Sequence, residues 1–414
     1  MWQRISSGVL VAMTCASPAF GQGTPASAAG RCFARDFQAD VRSAIAGYAK
    51  VAGIPGVSIG AVVRDSLVFA GGVGYANVGR RIPATADTPY NVASVTKLFT
   101  ATLALQLAAE GRLDLDAPVA RYLPDSVRLP TDASGTAITV RHLLTHTAGL
   151  PKQPPNRRNQ PVAGPIDPGV WDAYEVTDLY QALPITKLRA RPGTAMDYSN
   201  YGYALLGHVV ERVAGVPYER LLRARLLTPL GMTSSGITLT AAQAQRLAAF
   251  YWDEDDARVE ESVHARYGSV AGFIGLTSTV RDLAPFLIAH LGTTAAGRAV
   301  VAPEVAHRMF EPQVQLDSAN ATHRVDMALG WFREVALASS KATPLLWHFG
   351  NVDGHASAVF LQPAAGLGVI VLQNLGGDMA GVATEQMGRW LMQRAAAEVA
   401  RCRSPRGDVS PKFR

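Results

Sequence analysis

The sequence is poor in cysteine and in charge. Three cysteines occur among 414 residues, and charged residues make up 17% of the chain. So few cysteines exclude a disulfide-stapled scaffold, and none of them stands at the spacing of a zinc site. None of the nine histidines forms a His-Glu-x-x-His arrangement. The sequence therefore does not support a metal-dependent mechanism, and we expect no cofactor.

Long apolar runs are also missing. After Arg4, a short apolar run ends near Phe20, and small residues around Gly21 suit a signal peptidase. This run is too short and too polar to span a membrane, and no later stretch reaches the length of a transmembrane helix. We therefore expect a signal peptide over residues 1–21, no integral membrane segment after its removal, and a periplasmic or secreted protein.

Excess positive charge is concentrated at one end of the chain. The formal net charge of +6 falls to +5 once Arg4 leaves with the signal. Residues 401–414 carry five basic residues against Asp408, so the folded body keeps only about +1. This distribution does not indicate a nucleic-acid partner. The basic tail, residues 403–414, is either a solvated end or a segment that touches an anionic membrane.

Apolar periodicity predicts strands near both ends of the chain and helices between them. A helix over 33–53 precedes a hairpin of 56–63 and 66–74, and a helix from about 379 to 401 closes the chain. The β-like runs before that last helix are 328–333, 344–350, 357–361 and 367–372. We expect one sheet domain formed by residues 32–110 and 270–402, with a mainly helical domain, 111–269, inserted in it.

The stretch 91–111 reads as a buried helix with one cation. Its apolar residues lie on several sides, and Gly111 supplies a C-terminal stop. A buried ammonium is costly, so Lys97 is paired, partly deprotonated or open to a cleft. Ser94 lies one turn earlier on the same face. The pattern indicates a serine nucleophile beside its lysine base, although a bare Ser-x-x-Lys also arises by chance.

A second serine motif competes with the first. Residues 56–60 match the Gly-x-Ser-x-Gly nucleophile elbow around Ser58. An elbow needs a strand, a sharp turn and then a helix, whereas Ser58 sits inside a run that continues as a strand. We therefore interpret Ser58 as structural.

Two histidines and one loop are further candidates. His142 and His146 stand at i and i+4 and could bind a metal. No third ligand is in sight, so histidines satisfied by backbone groups are the preferred interpretation. Residues 151–170 are rich in Pro, Asn and Arg, and they read as a long loop at a cleft rim or in a lid.

Tyr198 and Asn200 precede a predicted amphipathic helix that ends at Gly215. Taken alone, they read as a tyrosine anchor and an asparagine N-cap. Read together with the other motifs, the same two residues become candidates for functional roles.

Together these motifs resemble the serine β-lactamase and penicillin-binding-protein superfamily, in particular its class C-like branch with family VIII esterases and D-stereospecific peptidases. The resemblance covers residues 33–400. Its elements, in the family's order, are Ser94-Val95-Thr96-Lys97, the Leu-Leu-Thr-His-Thr-Ala-Gly-Leu run ending at Leu150, Pro192-Gly193-Thr194, Tyr198-Ser199-Asn200 and His348-Phe349-Gly350. It implies an α/β (α+β) fold of the β-lactamase/transpeptidase type, with an antiparallel sheet flanked by N- and C-terminal helices and an inserted, mainly helical domain.

The resemblance also implies roles for individual residues. Ser94 would be the nucleophile, and Lys97 and Tyr198 the base and proton shuttle. Asn200 would orient the substrate. The backbone N–H groups of Ser94 and Asn351 would form the oxyanion hole, and Gly350 would leave room for substrate along an edge strand.

One motif departs from the β-lactamase pattern. Those enzymes commonly have Lys-Thr-Gly where this chain has His348-Phe349-Gly350. A lysine attracts the carboxylate of a β-lactam, whereas histidine is mostly neutral near pH 7. No class A deacylation glutamate is apparent either, so Tyr198 or His348 must help to activate water.

We therefore expect an exported serine hydrolase that uses a covalent acyl-enzyme to cleave an ester, amide or peptide bond of a small-molecule or peptide substrate. The alternatives are a β-lactamase or D-Ala-D-Ala carboxypeptidase, and an inactive binding or assembly module of the same fold. The sequence leaves the oligomeric state open.

The cysteines that remain after signal cleavage suggest a disulfide. Cys15 leaves with the signal, so Cys32 and Cys402 form a single pair. In the fold that the resemblance implies, the first and last helices run antiparallel on one sheet with these ends together. The competing interpretation keeps Cys402 reduced in a frayed basic tail.

Overall fold

A computed structural model describes Phe33 and residues 35–156, 174–252, 259–260, 267–316, 322–338, 342–352 and 354–403. The expected signal peptide, Cys32, the basic tail from residue 404 onward and residues 157–170 of the predicted long loop lie outside this part. None of the helices described there is long and apolar enough to cross a membrane.

The strands come mainly from the two ends of the chain, as predicted. They are β1 (Gly56–Val63), β2 (Ser66–Asn77), β3 (Ile82–Pro83), β4 (Tyr90–Asn91), β5 (Phe250–Tyr251), β6 (Val259–Glu260), β7 (Thr277–Ser278), β8 (Val314–Leu316), β9 (His323–Met327), β10 (Phe332–Ala336), β11 (Leu345–Val352), β12 (His355–Gln362) and β13 (Leu367–Gln373). Nine of these described strands form one sheet in the order β3-β2-β1-β13-β12-β11-β10-β9-β8, and β4 pairs with β7 and β5 with β6.

The main sheet is antiparallel, and its centre joins the two ends of the chain. β1 pairs with β13, which places Ile59 opposite Val371. The predicted hairpins are confirmed, since β1 pairs with β2 and β12 with β13. The first strands of the chain therefore lie beside its last strand.

The helices surround this sheet. They are α1 (Arg35–Val51), α2 (Thr96–Ala109), α3 (Val140–Leu144), α4 (Val176–Ile185), α5 (Asn200–Ala214), α6 (Tyr218–Leu222), α7 (Ala241–Arg246), α8 (Ala271–Ile274), α9 (Val280–Leu291), α10 (Ala295–Val300), α11 (Pro303–Phe310) and α12 (Asp378–Arg403). The described chain between β3 and α9 is mainly helical. The fold class is thus confirmed, whereas the proposed domain boundaries stay a prediction.

Both faces of the sheet pack against a hydrophobic core. Successive side chains of a strand point to opposite faces, so one strand contributes to both cores. On β13, Val369 and Val371 join a core under α1 and α12. Ile370 and Leu372 join a second core on the other face, which also contains α2 and α9. The sheet therefore separates the two terminal helices from the helix that was predicted to carry the nucleophile.

Two predictions about strands need correction. The run 328–333 is not one strand, because β9 ends at Met327 and β10 begins at Phe332. Between them, Gly330 has φ +95°, and its turn packs so closely on α2 that a Cβ would lie 2.7 Å from Ala101 Cβ. β11 is not an edge strand of the sheet either, since β10, β9 and β8 lie beyond it.

Candidate active site

Ser94 lies in a short 3-10 turn, Ala93–Val95, directly before α2. Ala93 has φ +47°, a conformation that is strained for a residue with a Cβ, and its N–H donates to Asn91 Oδ1 at 2.7 Å. Ser357 Oγ on β12 donates to the Val92 carbonyl oxygen at 2.7 Å. The sheet thus anchors the turn through a hydrogen bond to the residue before it. Ser94 itself is half-buried.

Gly350 on β11 is required by the same turn. A Cβ there would lie 2.3 Å from the Val92 oxygen and 2.4 Å from Ser357 Oγ. Such distances are far below van der Waals contact, so only glycine lets β11 approach the serine turn. The close approach shown by the structure is to the protein's own backbone, and the expected role of Gly350 toward substrate stays a prediction.

Lys97 is fully buried, and its Nζ lies 2.8 Å from Ser94 Oγ. The same Nζ donates to the Phe273 carbonyl oxygen at 3.2 Å. Burial, assisted by the positive charge of Lys152, lowers the pKa of Lys97 well below its ordinary value. Burial therefore shifts the protonation equilibrium toward the neutral amine, which is the form that can accept the serine proton.

Tyr198 completes this group. Its side chain hydrogen-bonds Ser94, and the Lys97 Nζ lies 4.9 Å from the centre of its ring. Burial raises the pKa of Tyr198, and the bond to Ser94 opposes that rise. A protonated tyrosine beside a neutral lysine avoids placing two charges in a buried site. The structure thus brings together Ser94, Lys97 and Tyr198, although they come from two distant segments.

Asn200 is the first residue of α5, and its interpretation as the N-cap is wrong. Ser199 is the cap, since its Oγ accepts the Gly202 N–H at 2.9 Å. The Oδ1 of Asn200 is buried without a hydrogen-bond partner in the described structure. A buried acceptor of this kind is costly unless something donates to it. Asn200 is therefore available to an N–H group of a ligand.

His348 lies on β11 and is 1% exposed. Its Nδ1 and the Phe349 carbonyl oxygen are 2.8 Å apart, which assigns the ring proton to Nδ1 and leaves Nε2 as an acceptor. Nε2 is buried and without a partner among the described residues. Burial, followed by the charge of Lys97, lowers the pKa of His348 to about 3. His348 is therefore neutral near pH 7.

The strand around His348 is open on one side. β10 pairs with Leu345–Trp347, and no described strand pairs with residues 348–352 on the side away from β12. Asn351 is exposed, and its Nδ2 donates to the Gly377 carbonyl oxygen at 2.9 Å. Although β11 lies inside the sheet, no strand among the described residues covers the outer edge of its second half, and the oxyanion-hole role of Asn351 stays a prediction.

Ser58 lies outside this site. It is buried within β1, and its Oγ donates to the Thr85 carbonyl oxygen at 2.6 Å. The Tyr90 hydroxyl lies 2.9 Å from the same oxygen. Ser58 is thus a satisfied core hydroxyl inside a strand, as the sequence interpretation predicted.

His142 and His146 lie in different local structures. His142 lies in α3, where its Nδ1 accepts the Thr139 N–H at 3.2 Å, whereas His146 follows the helix with φ +56°. In the described chain, no group of histidine, cysteine or carboxylate side chains could hold a metal. The Nδ1 of His146 accepts the Ser199 N–H at 3.0 Å, so the interpretation that backbone groups satisfy these histidines is correct for their Nδ1 atoms.

Sequence reasoning nevertheless missed the place of His146. Its ring centre lies 4.3 Å from that of Tyr198, so it borders the active site. The sequence did contain a sign of this place, because His146 belongs to the Leu-Leu-Thr-His-Thr-Ala-Gly-Leu motif on which the family resemblance rests. No role was given to the motif's histidine.

Comparison with known proteins decides the family. The profile of the Beta-lactamase family matches residues 41–391. The chain belongs to the beta-lactamase family. This membership agrees with the resemblance that the sequence motifs carry.

Three proteins illustrate this relationship. "Protein flp" of Staphylococcus aureus (strain COL) is 27% identical over 326 residues, which are 78% of this chain and 60% of that protein. "D-alanyl-D-alanine-carboxypeptidase/endopeptidase AmpH" of Escherichia coli (strain K12) is 32% identical over 196 residues, 47% of this chain and 48% of AmpH. The structure of a "Beta-lactamase/D-alanine Carboxypeptidase" of Yersinia pestis has a TM-score of 0.72 and 24% identity, and covers 91% of this chain and all of that one. This chain thus spans 60% of the length of the S. aureus relative.

Proposed function

We propose that this protein is an exported serine hydrolase that cleaves ester, amide or peptide bonds through a covalent acyl-enzyme on Ser94. The observation that carries the proposal is the 2.8 Å distance between Ser94 Oγ and Lys97 Nζ, with Tyr198 bonded to the same serine. A nucleophile within hydrogen-bond reach of its base is the arrangement that covalent catalysis needs. The peptidase activities named for AmpH and for the Yersinia protein agree with this reaction class.

Acylation begins when Ser94 Oγ attacks the substrate carbonyl carbon and passes its proton to the neutral Lys97 amine. The backbone N–H groups of Ser94 and Asn351 stabilise the oxyanion of the tetrahedral intermediate. Tyr198 then donates its proton to the leaving alcohol or amine and is reprotonated from Lys97. The free Oδ1 of Asn200 accepts an N–H of the substrate and fixes its orientation.

Deacylation reverses these proton transfers with water as the nucleophile. The pKa of about 3 makes His348 a weak base, so it does not take the water's proton. Its free Nε2 instead accepts a hydrogen bond and positions that water. The neutral Lys97 amine takes up the water's proton, and a proton passes through Tyr198 to Ser94 Oγ as the acyl C–O bond breaks and the carboxylic acid product leaves.

A carboxypeptidase or β-lactamase remains the second candidate, and Lys152 is the observation that favours it. Lys152 is exposed and close enough to lower the pKa of Lys97, so a cation stands near the site even though His348 is neutral. A carboxylate of a β-lactam or a peptide C-terminus would find a partner there. An inactive binding module is not favoured, because Ser94 lies within hydrogen-bond reach of both Lys97 and Tyr198.

Intact-mass analysis tests the proposal. The protein is incubated separately with a fluorophosphonate, a penicillin and a p-nitrophenyl ester, and adducts are mapped to single residues. A fluorophosphonate adduct on Ser94 together with ester turnover supports the hydrolase. A stable penicilloyl adduct or rapid penicillin turnover supports the second candidate. Absence of any adduct on Ser94 in folded protein overturns both.

A further inference from the structure

His146 contacts both neighbours of Tyr198 in the chain. Its carbonyl oxygen accepts the Asp197 N–H at 2.9 Å, and its ring Nδ1 accepts the Ser199 N–H at 3.0 Å. The residue between these two anchors is Tyr198. One histidine therefore fixes the backbone on both sides of the proposed proton shuttle.

The ring of His146 also contacts the ring of Tyr198. The two ring centres are 4.3 Å apart with an angle of 31° between the planes. On its other side His146 packs on Tyr203, at 4.9 Å. Tyr198 thus cannot tilt toward His146 without displacing a fully buried ring.

The tautomer of His146 follows from these contacts. An Nδ1 that accepts a hydrogen bond carries no proton, so a neutral ring holds its proton on Nε2. Burial, followed by the positive charge that Lys97 carries when protonated, lowers the pKa of His146 well below its ordinary value. Both the hydrogen bond to Nδ1 and the direction of this shift favour the neutral ring.

The backbone of His146 supports a role at the site. Its φ of +56° is strained for a residue with a side chain, and such strain tends to persist at functional sites. An unstrained glycine would fit this conformation, yet would offer no Nδ1 to Ser199. The Nε2 atom is, moreover, buried without a partner in the described structure.

We infer that His146 is a positioning residue, which holds the Tyr198 hydroxyl against Ser94 and Lys97 through the Asp197 and Ser199 backbone. This inference rests on the proposed role of Tyr198 as proton shuttle. It gives the histidine of the Leu-Leu-Thr-His-Thr segment a function that is neither metal binding nor proton transfer. Misplacement by about 1 Å can cost two orders of magnitude in rate, so the effect on turnover should be large.

A matched pair of substitutions tests the acceptor. Asparagine places its amide oxygen near the position of Nδ1, whereas glutamine carries its amide one methylene farther. His146→Gln should lower kcat about 10- to 100-fold with KM within about twofold, and His146→Asn should recover most of that loss. If His146→Gln does not fold, His146→Gly replaces it, because glycine adopts the same φ without strain. Equal kcat for His146→Asn and for the variant compared with it, His146→Gln or His146→Gly, overturns the inference.

A double-mutant cycle tests the route through Tyr198. In a Tyr198→Phe background, His146→Gln should lower kcat less than twofold further, because the hydroxyl that it positions is gone. His142→Ala is the control, since it loses the acceptor that caps α3 and His142 has no described contact with Tyr198. Its effect should be the same in both backgrounds. Full additivity of His146→Gln and Tyr198→Phe overturns the positioning role. Ester turnover by Ser94→Ala equal to wild type would instead overturn the proposed function itself.

Discussion

The carbonyl oxygen of Lys152 accepts the backbone N–H of Asn200 at 3.0 Å and that of Tyr201 at 3.2 Å. This exposed lysine is therefore fixed to the first turn of α5, two residues beyond Tyr198. Its charge lowers the pKa of the buried Lys97, second only to burial. A surface residue thus helps to keep the proposed base neutral.

Lys152→Gln should raise the pKa of Lys97, because it removes a nearby like charge. Only the neutral amine accepts the serine proton, so the acid limb of kcat/KM for a neutral ester should move to higher pH. The shift should be larger at low salt than at high salt, since Lys152 is solvent-exposed. Lys50→Gln in α1, on the opposite face of the sheet, is the control and should leave the profile unchanged. An acid limb that stays in place would contradict this role of Lys152.

Ser94→Ala should lower ester turnover about 10⁴- to 10⁶-fold and abolish fluorophosphonate labelling. Ser58→Ala is the matched control, because both serines precede an apolar segment but only Ser94 contacts Lys97. It should keep labelling and lower the free energy of unfolding by about 1 to 3 kcal/mol, since the Tyr90 hydroxyl loses a buried partner. Loss of labelling in folded Ser58→Ala would restore the elbow hypothesis.

His348→Lys should favour anionic β-lactams over neutral esters. The substitution places a permanent cation beside the free edge of β11, where it can meet a carboxylate. The measurement is the ratio of kcat/KM for a penicillin to that for a p-nitrophenyl ester. An unchanged ratio in a folded variant would show that position 348 does not face the anionic group. His348→Gln is the neutral control.

Cys32 and Cys402 are expected to form a disulfide. Cys402 is disulfide-bonded in the structure, whereas Cys32 lies outside the described residues, so the pairing stays a prediction. The neighbouring Phe33 is buried, and Asp40 of α1 meets Arg394 of α12 at 3.4 Å, which brings the two terminal helices together. Non-reducing peptide mapping should yield a linked Cys32–Cys402 peptide, and reduction should cost about 2 to 4 kcal/mol of stability. An alkylated Cys402 in protein from an oxidising compartment would contradict the pairing.

Local pattern was sufficient to predict most of the sheet but not its buried turns. The run 367–372 is continuous and apolar and contains three β-branched residues, so both its type and its hairpin partner were evident. The run 328–333 is equally apolar, since Leu329 and Trp331 are buried, yet it contains a turn. Buried positions favour apolar residues whether the backbone there is extended or turned. In this run only the positive φ of Gly330 distinguishes the buried turn from a strand.

The candidate site could be predicted where its chemistry is local. Ser94 and Lys97 are one helical turn apart, so the spacing itself brings them together. The N-cap was misplaced by one residue because Ser199 and Asn200 are both good capping residues, and the sequence does not say which one begins the helix. The contact of His146 with Tyr198 joins residues far apart in sequence, and ring stacking leaves no periodic trace in either segment.

The serine turn depends on residues made near the end of synthesis. The carbonyl oxygen of Val92 accepts a hydrogen bond from Ser357, 265 residues later. The turn also requires glycine at position 350, because a Cβ there would clash with the same oxygen. A growing chain that has not yet delivered β11 and β12 therefore carries Ser94 without the support that sets its geometry. Contacts of such long sequence separation slow folding, because the loop between them must first be closed. The proposed nucleophile thus lacks the support of its turn until β11 and β12 have been synthesised and have packed against it.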